Sequence, residues 1–375
     1  MTNYQKQDRN PGWIELFFDL SFVVLIGRIA EILHHTQTHL FNLPTIISFL
    51  WIFGVQALVW MHYTVYTNYY GDNSMRLKLF TFVLMCGLFL TAIFVQDLFK
   101  YNTEITLLLG ILTAYTALMY QLSSPKIKEN HAYAQYKAKS LFCLAIAVIP
   151  ALFMSSYLLF FYTTVLYLGE HLLDIRYAHH HHIAPPDSDH FVERIGTFMI
   201  LVFGESFLTL IDTLDNLKTR NNVLVFILIL VVMFFLFINY FTFIDEISSM
   251  KHRNYNQILV NNVFVLFSLT LFSAIVYHAC TQDLDLLHFK CLILSFTIVF
   301  FISNARSYYK LHLLILSILV VVIPLTLNLI AHLLLQSYFA MLLALCLECF
   351  LPGILILYYK KYKSIPLKSK NTSKS

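Results

Sequence analysis

The stretch Trp13, Ile14, Glu15, Leu16, Phe17, Phe18, Asp19, Leu20, Ser21, Phe22, Val23, Val24 decides how the chain is read. It opens an apolar run long enough to cross a bilayer, for which about 20 residues suffice, and it carries two carboxylates into that run. An ionised side chain at bilayer depth costs roughly 3 kcal/mol or more. Such groups persist where they are paired, reach water or perform a task. Glu15 and Asp19 stand at i and i+4, so on a helix they share one face, a turn apart. Two readings stand for Glu15: a first-turn acid that complements the helix dipole, or a member of a functional site. Asp19 lies a turn deeper, where the dipole reading fits less well and a buried pair or a functional role fits better.

Outward from that stretch, the composition fixes the class. Hydrophobic residues make up 58% of the chain and charged residues 12%, with a mean hydropathy of +0.69. Soluble domains carry about 25% charged residues, so the chain reads as an all-α, polytopic membrane helix bundle whose first partner is the lipid bilayer. The net charge of +4 is spread over short loops and the tail, which excludes a nucleic-acid patch. Cys346 and Cys349 are spaced C-x-x-C, but inside an apolar segment with no second pair, and read as small packing residues. No small-residue cleavage site follows the first apolar run, which is therefore expected to stay as the first span.

Twelve spans are expected, at residues 13–34, 44–66, 78–98, 103–122, 138–154, 156–174, 193–213, 221–244, 257–278, 287–304, 309–333 and 337–359. With the N-terminus on the cytoplasmic side, the opposite side receives Lys100, Lys218, Arg220 and Lys290. Arg28 lies within the first span, and every other Lys and Arg falls on the cytoplasmic side. This asymmetry places both termini on the cytoplasmic side, with an even number of spans. The chain reads as one membrane domain over 1–375, divisible into six-helix halves at 1–180 and 190–360, with a basic, disordered tail at 361–375. Both halves would start on the same side, as in transporters built from parallel repeats.

The candidate chemistry lies in spans one, two, six and seven. His190, Glu193 and Arg194 precede Gly204, Glu205 and Ser206 on one expected helix behind Asp189, a candidate cap. Arg194 and Glu205 stand three helical turns apart, about 16 Å along the axis, which puts Glu205 near mid-membrane between two small residues. Glu205 is a candidate for proton or cation handling; the alternative is a structural pair with Arg or His from a neighbouring helix. His62 follows Trp60 and precedes Tyr63, Tyr66 and Asn68. The short link between spans one and two sets it opposite Glu15 and Asp19, against the competing reading of a packing histidine. Glu170, His171 and Asp174 share a face, with Asp174 read as solvated at the membrane interface. The run His179, His180, His181, His182 lacks fixed geometry and is read as an opportunistic metal binder at most, so no metal or cofactor is assigned. Glu348 is the one acid within the last four spans. No phosphate loop, dinucleotide fingerprint or nucleophile elbow is present.

These residues resemble the bacterial low-temperature-requirement A (LtrA) family. The resemblance rests on Glu15 to Leu20 followed by Phe22 and Val23, on Trp60 to Asn68 with Asp72, and on His190, Glu193, Arg194, Gly196 and Phe198 leading to Gly204, Glu205 and Ser206. Ser21 departs from it, since the family more often has an apolar residue there, and the histidine run is not part of the pattern. The resemblance implies a polytopic inner-membrane protein and supplies no substrate. The expected function is a proton- or cation-coupled transporter, more a carrier than an enzyme. Its expected binding residues are Glu15, Asp19, His62, Glu193, Arg194 and Glu205, and its expected partners are a proton or cation and a small molecule. The alternatives are a membrane-embedded enzyme or lipid factor using the same carboxylates, and a structural membrane protein.

Overall fold

Helices begin where the sequence punctuates them. Asn42 accepts the Thr45 N–H at 2.8 Å and, with Pro44 in the first turn, starts the second helix. Ser74 accepts the Leu77 N–H at 3.2 Å and starts the third. The computed structural model describes residues 11–35, 40–72, 74–123, 131–183, 186–215, 220–248, 255–309 and 314–363. Its helices are α1 (Trp13–Ala30), α2 (Leu43–Tyr70), α3 (Met75–Phe94), α4 (Asn102–Ser123), α5 (His131–Ala147), α6 (Ser156–His180), α7 (Ser188–Asp215), α8 (Arg220–Ser248), α9 (Tyr255–Thr281), α10 (Leu286–Tyr309), α11 (Leu314–Leu334) and α12 (Tyr338–Lys363).

Ten of these helices are long and apolar enough to cross a membrane. The other two are α1, whose 18 residues include Glu15, Asp19 and Arg28, and α11, of which the stretch Ile318–Leu334 is an apolar helix. The outward faces carry large apolar side chains such as Phe82, Ile93, Phe153, Phe161 and Leu172, as lipid contact requires. The chain is a multi-span helical membrane protein.

Among the boundaries that differ from the expected ones, three have local reasons that bear on the site or the tail. α5 starts at His131, so Lys137 lies inside the helix instead of at its edge. α7 starts two residues earlier than a cap at Asp189 implies, because Asp187 takes that place. Its Oδ1 accepts the Asp189 N–H at 3.0 Å and its carbonyl accepts the Phe191 N–H at 3.1 Å. α12 continues to Lys363, past the expected start of the tail; residues 364–375 lie outside the described residues.

α2 and α9 hold the centre, with 61% and 78% of their apolar windows buried. Packing neighbours recur along the chain. α1 lies on α3 as α7 lies on α9, α4 on α5 as α10 on α11, and α2 on α6 as α8 on α12. α1 and α2 also contact α9, and α1 contacts α7. Glu15 and Asp19 near the start of α1 meet Thr67 near the end of α2 and Arg194 near the start of α7, through Arg194. α1 and α7 therefore run parallel, and α2 antiparallel to both.

Candidate functional site

The first buried polar cluster forms where α1, α2 and α7 meet. Asp19 and Arg194 are both fully buried. Arg194 Nε and Nη2 donate to the two Asp19 oxygens at 2.8 Å each, a bidentate pair. Trp60 Nε1 donates to Asp19 Oδ1 at 3.0 Å, and Arg194 Nη1 donates to the Thr67 hydroxyl. Glu15 Oε2 lies 3.4 Å from Arg194 Nη1 and 3.2 Å from His190 Nε2. The guanidinium also sits 5.4 Å from the Tyr63 ring centroid, within cation–π range. Phe22, Trp60 and Phe198 pack below, with Trp60 and Phe198 stacked at 4.8 Å, and they seal the cluster from the apolar layer.

Asn68 fixes the entry to α7. Its Oδ1 accepts the Asp187 N–H at 2.7 Å and its Nδ2 donates to the Asp187 carbonyl at 3.0 Å, which sets the orientation of the amide. The same Nδ2 lies 3.2 Å from His190 Nδ1. That ring nitrogen therefore accepts, and the imidazole hydrogen sits on Nε2, toward Glu15.

The second cluster forms among α2, α5 and α6. Lys137 is fully buried, with Nζ 2.8 Å from Glu170 Oε1 and 3.0 Å from Asp174 Oδ2. Ser140 donates to Glu170 Oε1 at 3.1 Å, and Tyr133 donates to Asp174 Oδ2 at 3.3 Å. His62 Nε2 lies 3.2 Å from Glu170 Oε2. A cavity of about 800 Å³ adjoins this cluster, lined by His62, Tyr69, Tyr133, His171, Asp174 and Tyr255 among others. α2, α5 and α6 form one wall and the start of α9 the other.

The expected residues fall into three groups. Glu15, Asp19 and Arg194 come together with His190, as just described. His62 goes to Glu170 instead of the Glu15 and Asp19 pair. On a helix it stands about 200° around the axis from Trp60, so one side chain faces α1 while the other faces α6. Glu193 is exposed, and Glu205 is half-buried further along α7, lining a small gap with Gly27, Ser206 and Ser273. Gly27 leaves room for it, since a Cβ at that position would collide with Glu205 Oε1 and oblige the Glu205 side chain to move.

Two features were missed. Lys137 looked like a loop cation because the fifth span was started one residue after it. Asp174 looked solvated because it lies near the helix end, yet it is buried. The signal was there in Glu170 and Asp174 at i and i+4, two acids on one face that need a cation between them.

At the far end of the first span, His34 packs against α9. Its ring stacks on Tyr277 at 4.2 Å. Burial alone would raise the Asp283 carboxyl, but hydrogen bonds from Thr281 and His278 hold it below its ordinary value. His179 and His180 are exposed in the last turn of α6. Among the described residues no three His, Cys, Asp or Glu side chains converge as a metal site.

The motifs at both ends of this geometry lie within one family match. The family described as bacterial low temperature requirement A protein (LtrA) matches residues 11–351. The chain belongs to the LtrA family. No curated protein matches it. The LtrA match spans α1 through the first half of α12, so both buried clusters and the cavity lie inside it.

Proposed function

We propose that this LtrA protein is a secondary transporter. It binds a proton or cation at intramembrane carboxylates and passes a small molecule through the cavity bounded by α2, α5, α6 and α9. The observation that carries this reading is the placement of Asp174. A buried carboxylate, paired with the Lys137 ammonium that also holds Glu170, forms part of the wall of a cavity of about 800 Å³. Pockets for small metabolites fall in this size range, roughly 300–1,000 Å³.

Three further points support it. The recurring packing neighbours favour two six-helix halves, 1–180 and 190–360, and the cavity then lies between α2, α5 and α6 of one half and α9 of the other. Substrate sites of repeat-built transporters lie at such junctions. The Asp19–Arg194 pair joins α1 to α7 across the same boundary and acts in this reading as the lock that opens and closes between states. The Lys and Arg distribution favours a cytoplasmic location for both termini, so the cavity end that includes His179 and Asn256 faces the cytoplasm. Glu15 belongs with the lock and His62 with the cavity. Glu205 forms a separate position on α7, and Glu193 has no part in either cluster.

The test is reconstitution into liposomes containing a pH-sensitive dye. Vesicles with the wild-type protein are expected to dissipate an imposed pH gradient faster than empty vesicles. Those with Asp174→Asn or Asp19→Asn are expected to match the empty ones. Equal decay in all four preparations overturns the proposal.

A further inference from the structure

We infer that the cavity binds an organic cation, a quaternary or protonated amine with an apolar body, held by Asp174 and the tyrosines around it. The inference rests on the cavity being the transporter's substrate pocket.

Asp174 uses one oxygen. Its Oδ2 takes Lys137 and Tyr133, while its Oδ1 is buried and has no hydrogen-bond partner among the described residues. His171 Nε2 and the Tyr255 hydroxyl are buried and without partners in the same sense. All three residues line this one cavity. A buried polar atom left without a partner costs about 1–3 kcal/mol; these three are closed to water, so a guest in the cavity that their residues line would pair with them only after a side-chain rotation toward it. Lys137 is the single Lys or Arg within ion-pair distance of Glu170 and Asp174 among the described residues. One cation therefore faces two carboxylates, and the cluster favours a positive guest over a negative one.

The remaining wall suits an alkylated ammonium group better than a bare metal ion. Tyr69 and Tyr133 lie with ring centroids 5.4 Å apart, and Tyr255 stands on the α9 side. Aromatic faces attract ammonium groups and tolerate their alkyl substituents. Met61, Val65, Ile175 and Leu259 complete the lining and provide for an apolar body. A metal ion would need several convergent ligands, and among the described residues no such group is formed.

The experiment is calorimetric titration of the full-length protein in detergent with choline, tetraethylammonium and benzyltrimethylammonium. The controls are 3,3-dimethylbutanol, which has the shape of choline without its charge, and benzoate. At least one ammonium probe is expected to bind, with the neutral isostere and the anion about tenfold weaker or worse. Asp174→Asn is expected to weaken the ammonium probe about tenfold, Asp174→Glu to restore most of the loss, and Tyr69→Leu to weaken it with Asp174 intact. Each variant is first checked for a monodisperse elution profile. The Tyr69→Leu arm keeps the inference testable if Asp174→Asn fails to fold. The inference is overturned if no ammonium probe binds, if the neutral isostere binds as well as choline, or if binding is indifferent to the substitutions. Ammonium binding without any proton movement in the liposome assay would remove the transport reading and leave this site. Proton movement without ammonium binding would do the reverse.

Discussion

Replacing Asp19 by Asn tests whether Asp19 and Arg194 act as one unit. Asp19 receives two guanidinium hydrogen bonds of 2.8 Å and one from Trp60 of 3.0 Å, and both partners of the pair are fully buried. Asn keeps one acceptor oxygen and turns an N–H₂ group toward a guanidinium N–H. One charge-assisted bond is lost, donor faces donor, and the buried guanidinium keeps Glu15 at 3.4 Å as its nearest described carboxylate. Removing one member of a buried ion pair costs about 3–5 kcal/mol. Arg194→Met removes the other member and is expected to cost a similar amount. The double variant has no buried charge to strand at this pair; Glu15 keeps His190 at 3.2 Å, and the Thr67 hydroxyl keeps the Tyr63 and Thr64 carbonyls to which it already donates, each at 3.2 Å. It is expected to lie about 2–3 kcal/mol below wild type, well above the sum of the singles, so the coupling is about 3 kcal/mol or more. Equilibrium unfolding in mixed micelles measures all four corners of the cycle. Additive losses, or a single substitution costing under about 1 kcal/mol, would refute the reasoning.

Lys137→Met leaves Glu170 and Asp174 without their buried cation and is expected to destabilise by about 3–5 kcal/mol; adding Glu170→Gln and Asp174→Asn is expected to recover most of this in the same unfolding assay. Glu348 accepts from Thr297 at 2.8 Å and from Asn328 at 3.1 and 3.2 Å, and no cation pairs with it among the described residues. Glu348→Gln is therefore expected to be neutral or stabilising in a thermal melt, whereas an ion-paired glutamate would lose stability.

The sequence allowed much of the scaffold to be read, because each described helix coincides with an apolar run bounded by Asn, Ser, Pro or charge. The acids of α1 and Arg194 of α7 stood out for the same reason: polar residues in an oil-like stretch are conspicuous. Rotation about the helix axis was harder to read. Trp60 and His62 differ by two positions, and α2 is buried on several faces, so no apolar stripe marks which way either points. Lys137 was obscured by its position. A lysine at the edge of an expected span reads as a positive-inside marker, and one more helical turn of α5 converts it into a buried counter-ion. Asp174 was obscured likewise, since nearness to a helix end does not reveal whether a neighbouring helix covers it. Glu205 shares a face with Arg194, as the spacing required, but three turns of helix carry it away along α1 to Gly27.

α2 joins the two clusters mechanically. Trp60 and Thr67 stand seven residues apart, nearly two whole turns, and together hold Asp19 and Arg194. Asn68 holds the entry to α7 through Asp187. Met61, His62, Val65 and Tyr69 form another face of the same helix and line the cavity. A helix held by its intrahelical hydrogen bonds turns as one body. Any rotation or tilt that releases Trp60 from Asp19 therefore shifts His62 against Glu170 and reshapes the cavity wall. Protonating or pairing one cluster can bias the other through this element without any contact between them, because both clusters set the angle of the same rod. In the transporter reading proposed above, such a link would couple the lock to the substrate pocket through α2, with Asn68 and Trp60 on one side and His62 on the other.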